Sequence, residues 1–117
     1  MSNIVLYHNP NCSKSRGALA ILEASGTSFD VVEYLDAPPS RDTLLRIISL
    51  LPDDPAELVR KDKNFRELGL DAAHYTTPEA VADLLVEHPK LMQRPIAIRG
   101  EHAVIGRPSE NVEALLG

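Results

Sequence analysis

The chain has 117 residues, 44% of them hydrophobic, with a formal charge of −5 and one cysteine. That length and apolar content suit one domain with an ordinary core, while an acidic balance with no Lys/Arg run argues against nucleic acid or an anionic membrane as the main partner. There is no apolar run of the roughly eighteen residues needed to cross a membrane, and no basic lead or cleavage site before the first apolar segment, so the sequence predicts a cytoplasmic protein.

Ile4-Val5-Leu6-Tyr7 is a continuous apolar run ended by His8-Asn9-Pro10-Asn11, which predicts a buried strand running into a turn. The turn delivers Cys12 to a helix start. Ala18, Leu19, Ile21 and Leu22 follow at helical spacing, and Gly26 is a C-terminal stop. A second strand is expected over about 29–34, giving a βαβ unit with parallel strands and a right-handed crossover.

Pro38-Pro39 breaks the pattern, and Ser40 can cap a helix carrying Leu44, Leu45, Ile47, Ile48 and Leu51. Asp54-Pro55 can start a short helix containing Leu58. Thr77-Pro78-Glu79 offers a cap, a first-turn proline and a first-turn acid for a helix through Leu84 and Leu85, which His88-Pro89 ends. Ile96-Ala97-Ile98 and Ala103-Val104-Ile105 flank Arg99-Gly100-Glu101 as an antiparallel hairpin. Ser109 is expected to cap a last helix through Val112, Leu115 and Leu116. The expected organisation is therefore α/β: one domain over 1–117, with βαβ about 1–36, a helical segment about 37–88 and ββα about 89–117.

A lone cysteine forms no internal disulfide and is too little for a structural zinc site. Placed where a strand hands over to a helix, Cys12 would face the free amides of the first turn and the positive end of the helix dipole. Both favour thiolate. Lys14 and Arg16 in the first turn and His8 in the preceding turn are further sources of positive charge, and thiolates in such settings have lowered pKa values. The same amides bind tetrahedral oxyanions. Cys12-Ser13-Lys14-Ser15 has CxxC spacing with serine in place of the second thiol, which excludes self-contained dithiol exchange.

Three arginines add to this. Arg94 precedes Pro95 at the entry to the hairpin, Arg107 precedes Pro108 at its exit, and Arg60 lies in the helical segment. Guanidiniums hold multivalent tetrahedral anions by paired hydrogen bonds better than ammonium groups do. Arg94 and Arg107, flanking strands of one sheet, are expected to meet near the cysteine. His74, His88 and His102 lack metal-ligand spacing, and no metal is expected.

Tyr7 through Arg16, Tyr34 through Ser40, Leu58-Val59-Arg60-Lys61, His88-Pro89 with Arg94-Pro95-Ile96, and Gly106-Arg107-Pro108-Ser109 together resemble the glutaredoxin-dependent arsenate reductases of the ArsC family. The resemblance implies a thioredoxin-like fold with an inserted helical segment, and a cis Arg94-Pro95 peptide beside the active site. It also implies reduction of arsenate to arsenite, with Cys12 as nucleophile, His8 favouring the thiolate, and Arg60, Arg94 and Arg107 holding arsenate. Only the resemblance places Arg60 in the site. Glutathione is implied as co-substrate and glutaredoxin as partner, with no tightly bound cofactor. Two alternatives remain open on the residues: a related glutathione-dependent thiol reductase, and a regulator of the Spx type that binds RNA polymerase.

Overall fold

The computed structural model describes residues 3–116. The chain divides into two units, one made of the sequence up to Ala37 together with that from Arg94 onward, the other of Pro38–Gln93.

The first unit is built on a four-stranded mixed sheet in the order β2-β1-β3-β4, from β1 (Ile4–His8), β2 (Phe29–Glu33), β3 (Ile96–Arg99) and β4 (His102–Ile105). β1 runs parallel to β2, with Ile4 opposite Phe29 and His8 opposite Glu33. It runs antiparallel to β3, which pairs antiparallel with β4 as a hairpin. A strand flanked on both edges suits the continuous apolar run seen in its sequence. Helix α1 (Ser13–Ser25) connects β1 to β2 and stops at Gly26, whose φ of 73° is a left-handed conformation that costs glycine little. Ile4, Leu6, Ala18, Leu22, Ala97, Val112 and Leu115 form one buried cluster under α1 and the C-terminal segment. Each large side chain in it contributes about 1.5–3 kcal/mol by leaving water. This is the thioredoxin-like arrangement of βαβ and ββα that the resemblance implies.

The C-terminal element differs in detail from expectation. Ser109–Leu115 is a 3-10 helix, and its cap residue is Pro108 rather than Ser109. The Ser109 hydroxyl instead donates to the carbonyl of Lys14 in the first turn of α1, at 2.7 Å. Gly17 admits this contact, since a Cβ there would lie 2.6 Å from Ser109 Oγ.

The second unit is helical. α2 (Arg41–Leu50) is capped by the Ser40 hydroxyl and α4 (Pro78–Glu87) by that of Thr77, each accepting from the amide three residues on at 3.2 Å. The two helices pack together, burying Leu44, Ile47 and Ile48 on one and Val81, Ala82, Leu84 and Leu85 on the other. Between them lie a 3-10 turn at Pro55–Leu58, the short α3 (Lys63–Glu67) and a 3-10 turn at Ala72–His74. A further 3-10 turn at Pro89–Leu91 follows α4. Arg60 is not helical. It follows an antiparallel bridge between Val59 and Met92, held by Arg60 N–H to the Leu91 carbonyl and Gln93 N–H to the Leu58 carbonyl, both 2.7 Å.

Candidate active site

Cys12 is the N-cap residue of α1, with extended backbone angles that leave its carbonyl accepting from the Arg16 amide at 2.9 Å. It stands at the positive end of a helix of 13 residues whose first turn contains no acid. The helix field is therefore uncompensated by a first-turn carboxylate. Lys14 and Arg16 add exposed cationic side chains in the same turn, and Arg16 Nη1 donates to the Pro10 carbonyl at 2.9 Å.

The loop before the cysteine is tied down from several directions. Cys12 N–H donates to the Asn9 carbonyl at 3.0 Å, and Asn11 N–H to Asn9 Oδ1 at 3.0 Å. Asn9 N–H in turn donates to the Ser15 hydroxyl at 3.0 Å. That hydroxyl also shares a 2.6 Å hydrogen bond with Nδ1 of His8. His8, Asn9 and Ser15 are all buried, Ser15 completely.

Two of the three arginines come from the opposite end of the unit's sequence. Arg107 Nη1 lies 3.9 Å from Cys12 Sγ and donates to the Arg94 carbonyl at 3.1 Å. Arg94 is the second cation close to the sulfur. Its Nε is buried with no hydrogen-bond partner among the described residues. The Arg94-Pro95 and Arg107-Pro108 peptides are both cis, the first as the resemblance implies. The flanks of β3 and β4 thus meet at the cysteine, as their sequence positions suggest. Arg60 belongs to the second unit, where its guanidinium pairs with Asp62 at 3.1 Å.

Burial of the thiol pushes its pKa up, but the Ser15 amide, the Arg94 guanidinium and the Lys14 amide outweigh that, and the balance lies below the ordinary cysteine value. The half-buried Cys12 is thus shifted toward the thiolate, the form that attacks electrophiles. The setting of His8 works against the positive charge its sequence position suggests. Burial pushes its pKa below the usual histidine value, Arg16 lowers it further, and Glu33 only partly offsets them. Tyr34, fully buried, also has its pKa raised by burial, with Arg94 pulling the other way.

In the sequence Ser15 stands out only as the serine that replaces the second thiol of a CxxC motif. The structure gives it two bonds within the loop and an amide at the sulfur. The only signal in sequence is the presence of hydroxyl, histidine and asparagine within eight residues, which does not reveal burial.

A model of the ArsC family matches residues 7–115. The chain is 42% identical over 118 residues to an arsenate reductase of Neisseria meningitidis serogroup A, covering 99% of this chain and all of that one. It is 39% identical to an arsenate reductase of Escherichia coli, covering 99% of this chain and 82% of that one. A solved structure of an arsenate reductase from Vibrio cholerae superimposes with a TM-score of 0.87 at 37% identity, over 98% of each chain.

Proposed function

The chain belongs to the ArsC family, and from that premise we propose that it reduces arsenate to arsenite, with Cys12 as nucleophile and glutathione and glutaredoxin as the source of electrons. The observation that carries the reading is the pairing of an activated thiol with guanidinium groups. Sγ of Cys12 lies 3.9 Å from Arg107 and beside Arg94, at the amino end of α1. A thiol exchanger needs the activated sulfur but not two arginines; a tetrahedral dianion needs both.

In the proposed reaction the Cys12 thiolate attacks arsenic, a sulfur–arsenic bond forms, and one arsenate oxygen leaves as water after protonation. Arg94 and Arg107 hold the remaining oxygens through charge-assisted hydrogen bonds. Arg60 joins them on the strength of the resemblance. Reduction from As(V) to As(III) takes two electrons, which two thiols supply by becoming one disulfide. This chain has one cysteine, so glutathione provides the second sulfur. Its sulfur bonds to that of Cys12, the sulfur–arsenic bonding pair stays on arsenic, and arsenite departs. Glutaredoxin then takes the glutathione sulfur and frees Cys12 as thiolate. His8 contributes to this chemistry by favouring the thiolate.

The test is arsenite release in the presence of glutathione and glutaredoxin. Cys12→Ser is expected to abolish release while leaving the circular dichroism spectrum unchanged, because a hydroxyl is a far weaker nucleophile at neutral pH. Turnover by the serine variant would overturn the mechanism. Absence of arsenate reduction by the unmodified protein, with its thiol still rapidly alkylated, would leave the nucleophile and remove the substrate.

A further inference from the structure

His8 and Ser15 share the shortest of the hydrogen bonds around the cysteine, 2.6 Å between Nδ1 and Oγ, in a buried setting. A hydroxyl has one proton to give and two lone pairs to receive. Ser15 Oγ already receives the Asn9 N–H. If Ser15 gives its proton to Nδ1 of a neutral imidazole, the chain from Asn9 N–H through Ser15 O–H to His8 Nδ1 is complete, with the ring proton on Nε2. An imidazolium would instead donate from Nδ1 and leave the serine proton in search of another acceptor. The buried setting and the Arg16 charge also oppose an imidazolium, while the Glu33 carboxylate and the Ser15 backbone favour it, and the balance lies below the ordinary histidine value.

Ser15 grips the cysteine from two sides. Its hydroxyl fixes Asn9, whose carbonyl in turn receives the Cys12 amide at 3.0 Å. Its own amide faces Sγ from the first turn of α1. We propose that Ser15 is a positioning residue through which His8 acts, so that His8 favours the Cys12 thiolate by bracing the β1–α1 loop as a neutral ring and not by lending a positive charge. The proposal rests on Cys12 being the activated nucleophile.

The experiment is a double-mutant cycle read by the rate of Cys12 alkylation with iodoacetamide as a function of pH. His8→Ala and Ser15→Ala are each expected to slow alkylation at about pH 6 by roughly two- to ten-fold, the equivalent of one hydrogen bond, with little change at about pH 9. The double variant is expected to be no slower than the slower single one. Multiplying effects, or an effect of His8→Ala that high salt erases, would overturn the proposal in favour of a charge. Because Ser15→Ala removes a buried contact and can impair folding, nuclear magnetic resonance of the unmodified protein supplies a second test. The His8 ring is expected to be neutral, with its proton on Nε2, throughout the pH range in which the thiolate forms, and to titrate alike with Cys12 free or alkylated. A His8 titration that moves upward when the thiolate is present would overturn the proposal. An ordinary thiol pKa in the unmodified protein would overturn the nucleophile reading itself, a result distinguishable from either of these.

Discussion

Replacing Arg107 with alanine removes a guanidinium nitrogen 3.9 Å from Cys12 Sγ. Opposite unit charges about 4 Å apart attract by about 4 kcal/mol at an effective dielectric near 20, and by about 1 kcal/mol in bulk water. Arg107 is exposed, so the lower figure applies, as it does for ion pairs at surfaces. A loss of about 1 kcal/mol is roughly a five-fold change in an equilibrium constant. The cation stabilises thiolate and not thiol, so its removal raises the thiol pKa. Alkylation is therefore expected to be about five-fold slower at a pH well below the pKa, and unchanged well above it, where the sulfur is ionised in both proteins. Salt near 1 M shortens the screening length to about 3 Å and should shrink the difference. Arg107→Lys keeps the charge but loses the planar fork that also reaches the Arg94 carbonyl. It should restore most of the alkylation rate and little of the arsenate turnover. Iodoacetamide rates from about pH 5 to 9 at low and high salt measure all of this. Superimposable profiles for the unmodified and alanine proteins at low salt would refute the electrostatic reasoning.

Gly106→Ala would set a Cβ 2.7 Å from Cγ of Pro95 and 3.2 Å from Cγ1 of Val112. The proline ring gives little, so a loss of about 1–3 kcal/mol is expected, as for other overpacked sites; an unchanged melting temperature would show that the hairpin end relaxes freely. Stability should also fall with acidity. The pKa of His8 is depressed in the folded chain below its value of 6.5 when exposed. Its contribution is therefore fully present above about 6.5 and lost as pH falls through the folded value. The urea midpoint should drop between about pH 7 and 5, and drop less in His8→Gln; an equal drop in both would mean that the histidine does not charge on unfolding.

Most of the architecture could be read from local chemistry. The run Ile4-Val5-Leu6-Tyr7, the stop at Gly26, the caps at Ser40 and Thr77 and the turn at Gly100 each act within a few residues, so their outcome is written where they occur. Ser109 misled because a hydroxyl before a helical pattern has two options, its own first turn or a distant carbonyl. The choice was made by Lys14, 95 residues away. Arg60 is not helical because its amide is taken by the Leu91 carbonyl, beside a bridge between Val59 and Met92 that no helical spacing reveals. In the site, the position of Cys12 at a helix start was legible, as was the approach of Arg94 and Arg107. The setting of His8 was not, since burial, which spacing does not reveal, pushes its pKa below the ordinary histidine value and works against the positive charge its position suggests.

The clasp between Ser109 and the Lys14 carbonyl joins the first helix to the last element of the chain, and the cations at the sulfur come from the same late segment. On a ribosome that delivers the amino end first, Cys12 emerges long before Arg94, Arg107 or Ser109. A nascent chain thus presents this cysteine without its two arginines. What those cations contribute to ionising the thiol is absent until that later segment has been made and folded, so a product terminated before Arg94 would carry the cysteine without them.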